Sequence, residues 1–224
     1  MGDRGANIDI AETRVDLFWS FRSPYSYLAM PGTLELEKHF AVKVRFRPVL
    51  PLAVREPSFF NPENMKRAKY IALDWPRRAE MLGMPHVWPS PDPIVQDLTT
   101  FAIAKEQPYI YRLTYLGVEA ELRGRGVAFA YEVSRLIFSG TRDWHLDDHL
   151  KQAAGRAGLD LIEMDVAIAN PATHQRIVEE NQIALTRAGH WGVPTFVFDD
   201  EPFFGEDRID TLRWRLEKRG LQRT

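Results

Sequence analysis

Ser23-Pro24-Tyr25-Ser26 is the segment whose residue types and spacing could do chemistry. Serine followed by proline is a helix-start signal. The serine oxygen can accept from free backbone N–H groups, and the fixed φ of proline suits the first helical position. A helix start carries unpaired N–H groups and roughly half a positive charge, so an anion such as a thiolate is stabilised there. No histidine and acid pair lies nearby to ionise the Ser23 hydroxyl, but that hydroxyl can donate a hydrogen bond to a thiolate brought in by a ligand. On spacing alone Ser23 reads first as a cap.

The thiolate would have to come from a ligand, because the chain contains no cysteine. That removes disulfides, thiolate metal sites and cysteine nucleophiles together. The 29 Lys and Arg against 31 Asp and Glu give a formal charge of −2 with no basic stripe, which argues against nucleic acid as a partner. With 224 residues, 45% of them apolar and 12% aromatic, the chain can bury a sizeable core in one domain or one domain with a large insertion, which excludes a disordered protein. The N-terminal residues have no apolar run behind them, and no stretch approaches the ~18 apolar residues of a membrane span. The expectation is a cytoplasmic protein with no membrane contact.

The elements that must position Ser23 follow from patterning. Val15, Leu17 and Trp19 alternate along one strand, and Val42, Val44 and Phe46 along a second. Between them, Tyr27, Met30 and Leu34 recur at helical spacing after Ser23, with Pro31-Gly32 expected to kink that helix or end its first part early. A proline-rich stretch from Pro48 to Pro93 reads as loops around one helix near Met65 to Leu82. Helical candidates follow near 97–106, 109–123, 126–138, 146–157 and 160–168. Asn170-Pro171 opens another helix ending near Gly189. Val193 to Phe198 and Pro202 to Phe204 form a hairpin about Asp199-Asp200, and Ile209, Leu212 and Leu216 line a final helix. Strand-helix units flanking a helical block predict an α/β fold with its site where strand ends meet helix starts.

Two further motifs sit at such junctions: Gly192-Val193-Pro194-Thr195 before the hairpin, and Phe204-Gly205-Glu206-Asp207-Arg208 opening the last helix. Together with Ser-Pro-Tyr-Ser after the first strand, they resemble the thioredoxin-fold group of 2-hydroxychromene-2-carboxylate isomerases and kappa-class glutathione transferases, distant relatives of DsbA-type disulfide oxidoreductases. The resemblance covers nearly the whole chain. It implies a thioredoxin-like α/β domain made of residues 13–50 and 170–222, with residues 51–169 as an inserted all-helical domain and its connecting loops. Ser23 and Ser26 stand where the oxidoreductases carry two cysteines, so dithiol chemistry is impossible here.

The resemblance implies glutathione as cofactor and assigns its contacts. Ser23, with Pro24 behind it, would hold the sulfur as the catalytic group. Val193 before a cis Pro194 would pair its backbone with the cysteinyl part. Gly205, Glu206 and Asp207 would receive the γ-glutamyl end, although Asp207 by itself reads as a cap. Asn61, in a loop shorter than in the relatives, is the candidate for a further glutathione contact, or an ordinary turn residue. Lys66, Arg67, Tyr70 and Trp88, with Arg55, are the available cations and aromatic walls for a small aromatic carboxylate substrate. Arg22 departs from the family pattern, in which a less charged residue precedes the serine.

The implied activity is glutathione-dependent cis–trans isomerisation of 2-hydroxychromene-2-carboxylate or a related aromatic pyruvate in aromatic-ring catabolism, by a homodimer. The alternatives are a kappa-like glutathione transferase using the same site and a non-catalytic thioredoxin-fold binding module. Other signals point to nothing catalytic. His145 and His149, four apart, would share a solvated helix face without a third ligand, so no metal is expected. Gly124-Arg125-Gly126 reads as a helix break, and Tyr109, Tyr111 and Tyr115 as core and rim residues.

Overall fold

The computed structural model describes residues 13–57, 65–97, 99–100 and 102–223. Strand β1 (Arg14–Trp19) and strand β2 (Lys43–Pro48) lie parallel, with Val15 opposite Val44 and Leu17 opposite Phe46. Helix α1 (Pro24–His39) connects them. Strand β3 (Thr195–Phe198) runs antiparallel to β1, and β4 (Glu201–Phe204) antiparallel to β3, completing a mixed four-stranded sheet in the order β2-β1-β3-β4. Asp199 and Asp200 turn the β3-β4 hairpin with φ of 52° and 62°, values that short acidic side chains tolerate better than most.

Sheet faces follow the period-two pattern. Val15, Leu17 and Trp19 are fully buried in the main core together with Tyr27, Met30 and Leu36 of α1. The opposite face carries Phe18, which packs with Val49 and with Leu185 of α8 (Ala172–Arg187). Pro31 sits inside α1, yet the helix continues through it to His39. Gly32 is needed one residue later: an added Cβ there would lie 2.8 Å from Ile209 Cδ1, where α9 (Ile209–Lys218) meets α1.

The chain between β2 and α8 forms a short helix α2 (Leu52–Arg55), then α3 (Met65–Met81), α4 (Ile110–Leu122), α5 (Gly126–Phe138), α6 (His149–Arg156) and α7 (Leu161–Ile168). Helices α4 and α5 lie against β2. Phe21, Phe46 and Phe129 meet edge to face with centroids 6.0–6.3 Å apart, and Gly117 of α4 lets Phe21 and Phe46 approach the helix backbone. The fold is therefore a mixed four-stranded α/β sheet carrying a helical insertion between β2 and α8, as the thioredoxin-like resemblance leads one to expect.

Two expectations need correction. The described residues among 97–106 form no helix: the Asp97 carboxylate accepts from the Thr99 and Thr100 N–H groups in a turn, and the chain folds back so that the Asp97 N–H donates to the Ala102 carbonyl at 2.9 Å and the Ala104 N–H to the Val95 carbonyl at 3.0 Å, with Gln96 bridging to Ile103. His145 precedes α6, which starts at His149, so the two histidines share no helix face. His145 packs instead against Tyr109 at 4.7 Å and Trp144 at 5.7 Å between ring centroids.

Candidate functional site

Ser23 is the N-cap of α1, with φ −83° and ψ 114°, and its Oγ accepts from the Ser26 N–H at 3.2 Å. Its own proton goes across the site: Ser23 Oγ donates to the Val193 carbonyl at 3.2 Å. Pro24 has no N–H and Ser26 has used its own, which leaves the Tyr25 N–H as a first-turn donor. No acidic residue occupies the first turn of α1, while Lys38 and His39 sit in its last turn, so its dipole is complemented only at the C-terminal end. Ser26 is fully buried, and its hydroxyl has no partner among the described residues.

The Val193–Pro194 bond is cis. Its loop is fixed from both sides. Thr195, fully buried, donates its hydroxyl to the Gly192 carbonyl at 2.7 Å, and the Gly192 N–H donates to His190 Nδ1 at 3.0 Å. That acceptor role puts the ring proton on Nε2 of a neutral His190, and burial holds this histidine below its ordinary pKa. His190 stacks on Phe204 with centroids 4.0 Å apart, and Gly192 carries no Cβ to obstruct the Phe204 ring.

The last-helix motif joins the same loop, since the Gly205 N–H donates to the Pro194 carbonyl at 2.9 Å. Gly205 has φ of +108°, a backbone state that favours glycine, and the Asp207 carboxylate folds back over it. A 3₁₀ turn of Glu206–Arg208 then leads into α9. Asp207 is half exposed, with Arg208 beside it at 3.1 Å. Glu206 is buried and engaged: Arg78 of α3 donates to both its oxygens at 2.7 and 3.0 Å. A cleft of about 280 Å³ opens beside Arg78, Glu206 and Asp207, bounded by Leu28 of α1 and Met81 of α3. A larger one of about 580 Å³ lies at the other end of the sheet, beside Arg14, Lys43 and Gly126, away from Ser23.

The structure thus brings Ser23, Pro24, Val193, Pro194, Gly205, Glu206 and Asp207 to one end of the sheet. Asn61 lies outside the described residues. Lys66, Arg67 and Tyr70 are on the exposed surface of α3, where the Tyr70 hydroxyl donates to Asp74 at 3.3 Å. Trp88 is 39% exposed and donates through Nε1 to Asp92 at 3.2 Å. Arg55 binds the carbonyls of Leu50 and Trp191 at 2.8 and 2.9 Å, tying α2 to the loop before Pro194. Sequence reasoning missed Arg78, His190 and Asp92. It also missed Asp74, which accepts from Tyr25 at 2.7 Å and so fastens α3 to Ser-Pro-Tyr-Ser. Burial and this acceptor push the Tyr25 phenol well above its usual range. None of these contacts has a local sequence signature, except that His190 stands close before Gly-Val-Pro.

A thioredoxin-type sheet, a helix start facing a cis-proline loop, and serine at both positions where a redox pair would stand define a cysteine-free thioredoxin-fold protein. The chain belongs to the DSBA-like thioredoxin domain family, whose profile matches residues 14–217. It is 23% identical over 202 residues to the 2-hydroxychromene-2-carboxylate isomerase of Pseudomonas putida, covering 88% of this chain and 91% of that one. To the isomerase of the same name from Sphingobium xenophagum it is 24% identical, over 88% of this chain and 95% of the relative. Among solved structures, a 2-hydroxychromene-2-carboxylate isomerase superposes with a TM-score of 0.68 at 20% identity, covering 92% of this chain and 95% of the other. The resemblance read from the three motifs is the one these comparisons find.

Proposed function

We propose that this protein is a glutathione-dependent cis–trans isomerase acting on 2-hydroxychromene-2-carboxylate or a related aromatic pyruvate in aromatic-ring catabolism, and that it works as a homodimer in the cytoplasm. The observation that carries this reading is the Ser23 hydroxyl, set at an acid-free helix start and aimed at the Val193 carbonyl beside a cis proline. The alignment with curated isomerases along 88% of the chain supports it.

The donor set suits glutathione. A thiol titrates near ~8.5 when free, and a helix start with a hydroxyl donor lowers that value. When bound, glutathione would supply a nucleophilic thiolate that adds to a conjugated side chain and leaves again, so that a double bond is briefly single and can rotate. Ser23 would donate to the sulfur and the Tyr25 N–H would add to the positive end of α1. Val193 would offer its backbone N–H and C=O as an added strand edge. Asp207 would accept from an ammonium group, its carboxylate being half exposed. Glu206 would act through Arg78, since both its oxygens are already bonded.

Calorimetric titration with reduced glutathione, followed by product analysis of 2-hydroxychromene-2-carboxylate with and without glutathione, tests this reading. Binding that weakens in Asp207→Ala and turnover that needs both glutathione and Ser23 are expected. No binding at millimolar glutathione overturns the cofactor assignment. A stable glutathione adduct as product would replace the isomerase with a transferase.

A further inference from the structure

One carboxylate organises the insertion side of Ser23. Asp92 accepts from Arg22 Nε at 2.8 Å, from Arg22 Nη2 at 2.9 Å, from Trp88 Nε1 at 3.2 Å and from the Ile94 N–H at 3.1 Å. Arg22 Nη2 also donates to Gln96 Oε1 at 3.3 Å. The guanidinium carbon lies 5.5 Å from the centroid of the Trp88 ring. Trp88 is backed edge-on by the buried Trp75 and Phe138, at 5.9 and 6.3 Å between centroids, and stays 39% exposed. Arg22 is thus held by its Nε and Nη2 hydrogens, while Nη1 makes no hydrogen bond among the described residues and is not a buried orphan. A guanidinium offers a second edge to an anion when the first is filled.

We propose that Arg22 Nη1 and the open part of the Trp88 ring form the recognition site for the carboxylate and aromatic ring of the substrate, with Asp92 as the positioning residue. This inference rests on the proposed function for the identity of the substrate. The physical case is local. The Ser23 hydroxyl faces Val193 on one side, and Arg22, its chain neighbour, reaches Asp92 and Trp88 of the insertion on the other. A planar aromatic acid matches a ring wall flanked by a fixed hydrogen-bond donor. The Arg22 side chain is only 15% exposed, so its charge-assisted bonds are less screened than those of the exposed Lys66. Holding the guanidinium in advance removes the rotamer entropy that a free arginine would lose on binding. Asp92 also repels a carboxylate approaching from its own side, which leaves the Nη1 edge as the productive direction.

The test uses 2-naphthoate and its neutral amide as probes, titrated by quenching of tryptophan fluorescence in the wild-type protein and in Arg22→Gln, Arg22→Lys and Asp92→Asn. Arg22→Gln should weaken naphthoate by ~10- to 100-fold, the loss of a charge-assisted contact, and leave the amide unchanged. Arg22→Lys should not restore naphthoate binding, because an ammonium is a single nitrogen that cannot keep the two-point hold on Asp92 and present a second nitrogen to the probe. Asp92→Asn should reduce the preference for acid over amide while glutathione binding stays as in the wild type. Unchanged naphthoate affinity in Arg22→Gln, or equal losses for acid and amide, overturns the site. Failure of the wild type to bind glutathione, with Arg22-dependent naphthoate binding intact, overturns the isomerase reading and leaves this site standing.

Discussion

The Ser23 hydroxyl and the Val193 carbonyl are hydrogen-bonded at 3.2 Å across 170 residues of sequence, with the serine donating. A hydroxyl has one proton. Giving it to a sulfur anion releases the Val193 carbonyl, which is the group an incoming peptide N–H needs. One hydrogen bond therefore links the sulfur position and the backbone-pairing position of the site.

From that exchange, Ser23→Ala should lose both functions at once. The helix cap costs about 1 kcal/mol, read as a lower urea midpoint. The ultraviolet thiolate absorbance of bound glutathione should fall, and turnover with it. A variant that turns over normally while lacking the hydroxyl would show that the serine is a cap and nothing more.

Arg78 and Glu206 should be coupled in stability and in glutathione affinity. Arg78→Ala leaves a carboxylate that is only 9% exposed without its partner, at a cost of about 2–3 kcal/mol. A double-mutant cycle with Glu206→Gln should show an interaction of at least about 1 kcal/mol. Additive effects would mean that α3 is not fastened to the last-helix motif through this pair.

Glu121 should give a pH signature. Burial pushes its carboxyl up to about 7 from 4.5, against the Phe46 N–H and Arg45, which favour the charged form. Between these values the folded chain holds a proton that the unfolded chain has lost, so this contribution to stability is full below pH 4.5 and declines as pH rises to about 7. Glu121→Gln cannot titrate. Its stability relative to wild type should therefore increase across that window in denaturant titrations, and a constant difference would rule out the shift.

Gly117→Ala tests the support beneath Ser23. An added Cβ would lie 2.8 Å from Phe21 Cε2 and 3.3 Å from Phe46 Cε1, both rings buried. Overpacking of this kind costs about 1–3 kcal/mol. Because Phe21 stands two residues before Ser23, glutathione affinity measured by calorimetry should drop along with the unfolding midpoint.

The sequence by itself determined the local elements and the motif junctions. Alternation at Val15, Leu17 and Trp19, the Ser23-Pro24 cap and the hairpin turn at Asp199-Asp200 are short-range consequences of residue type, and the structure contains each of them. Where pairing across a turn competes, the local pattern does not decide: at 97–106 the Asp97 N–H goes to the Ala102 carbonyl and the Ala104 N–H to the Val95 carbonyl, so these backbone groups pair across a turn and not along a helix. Tertiary structure alone decided which charges are committed. Arg22 meets Asp92 across 70 residues and Arg78 meets Glu206 across 128. No periodicity encodes such pairs, because they depend on how the insertion is seated over the sheet. Partial burial is what makes those pairings strong, and burial is set by the packing of helices that the chain reaches only after folding.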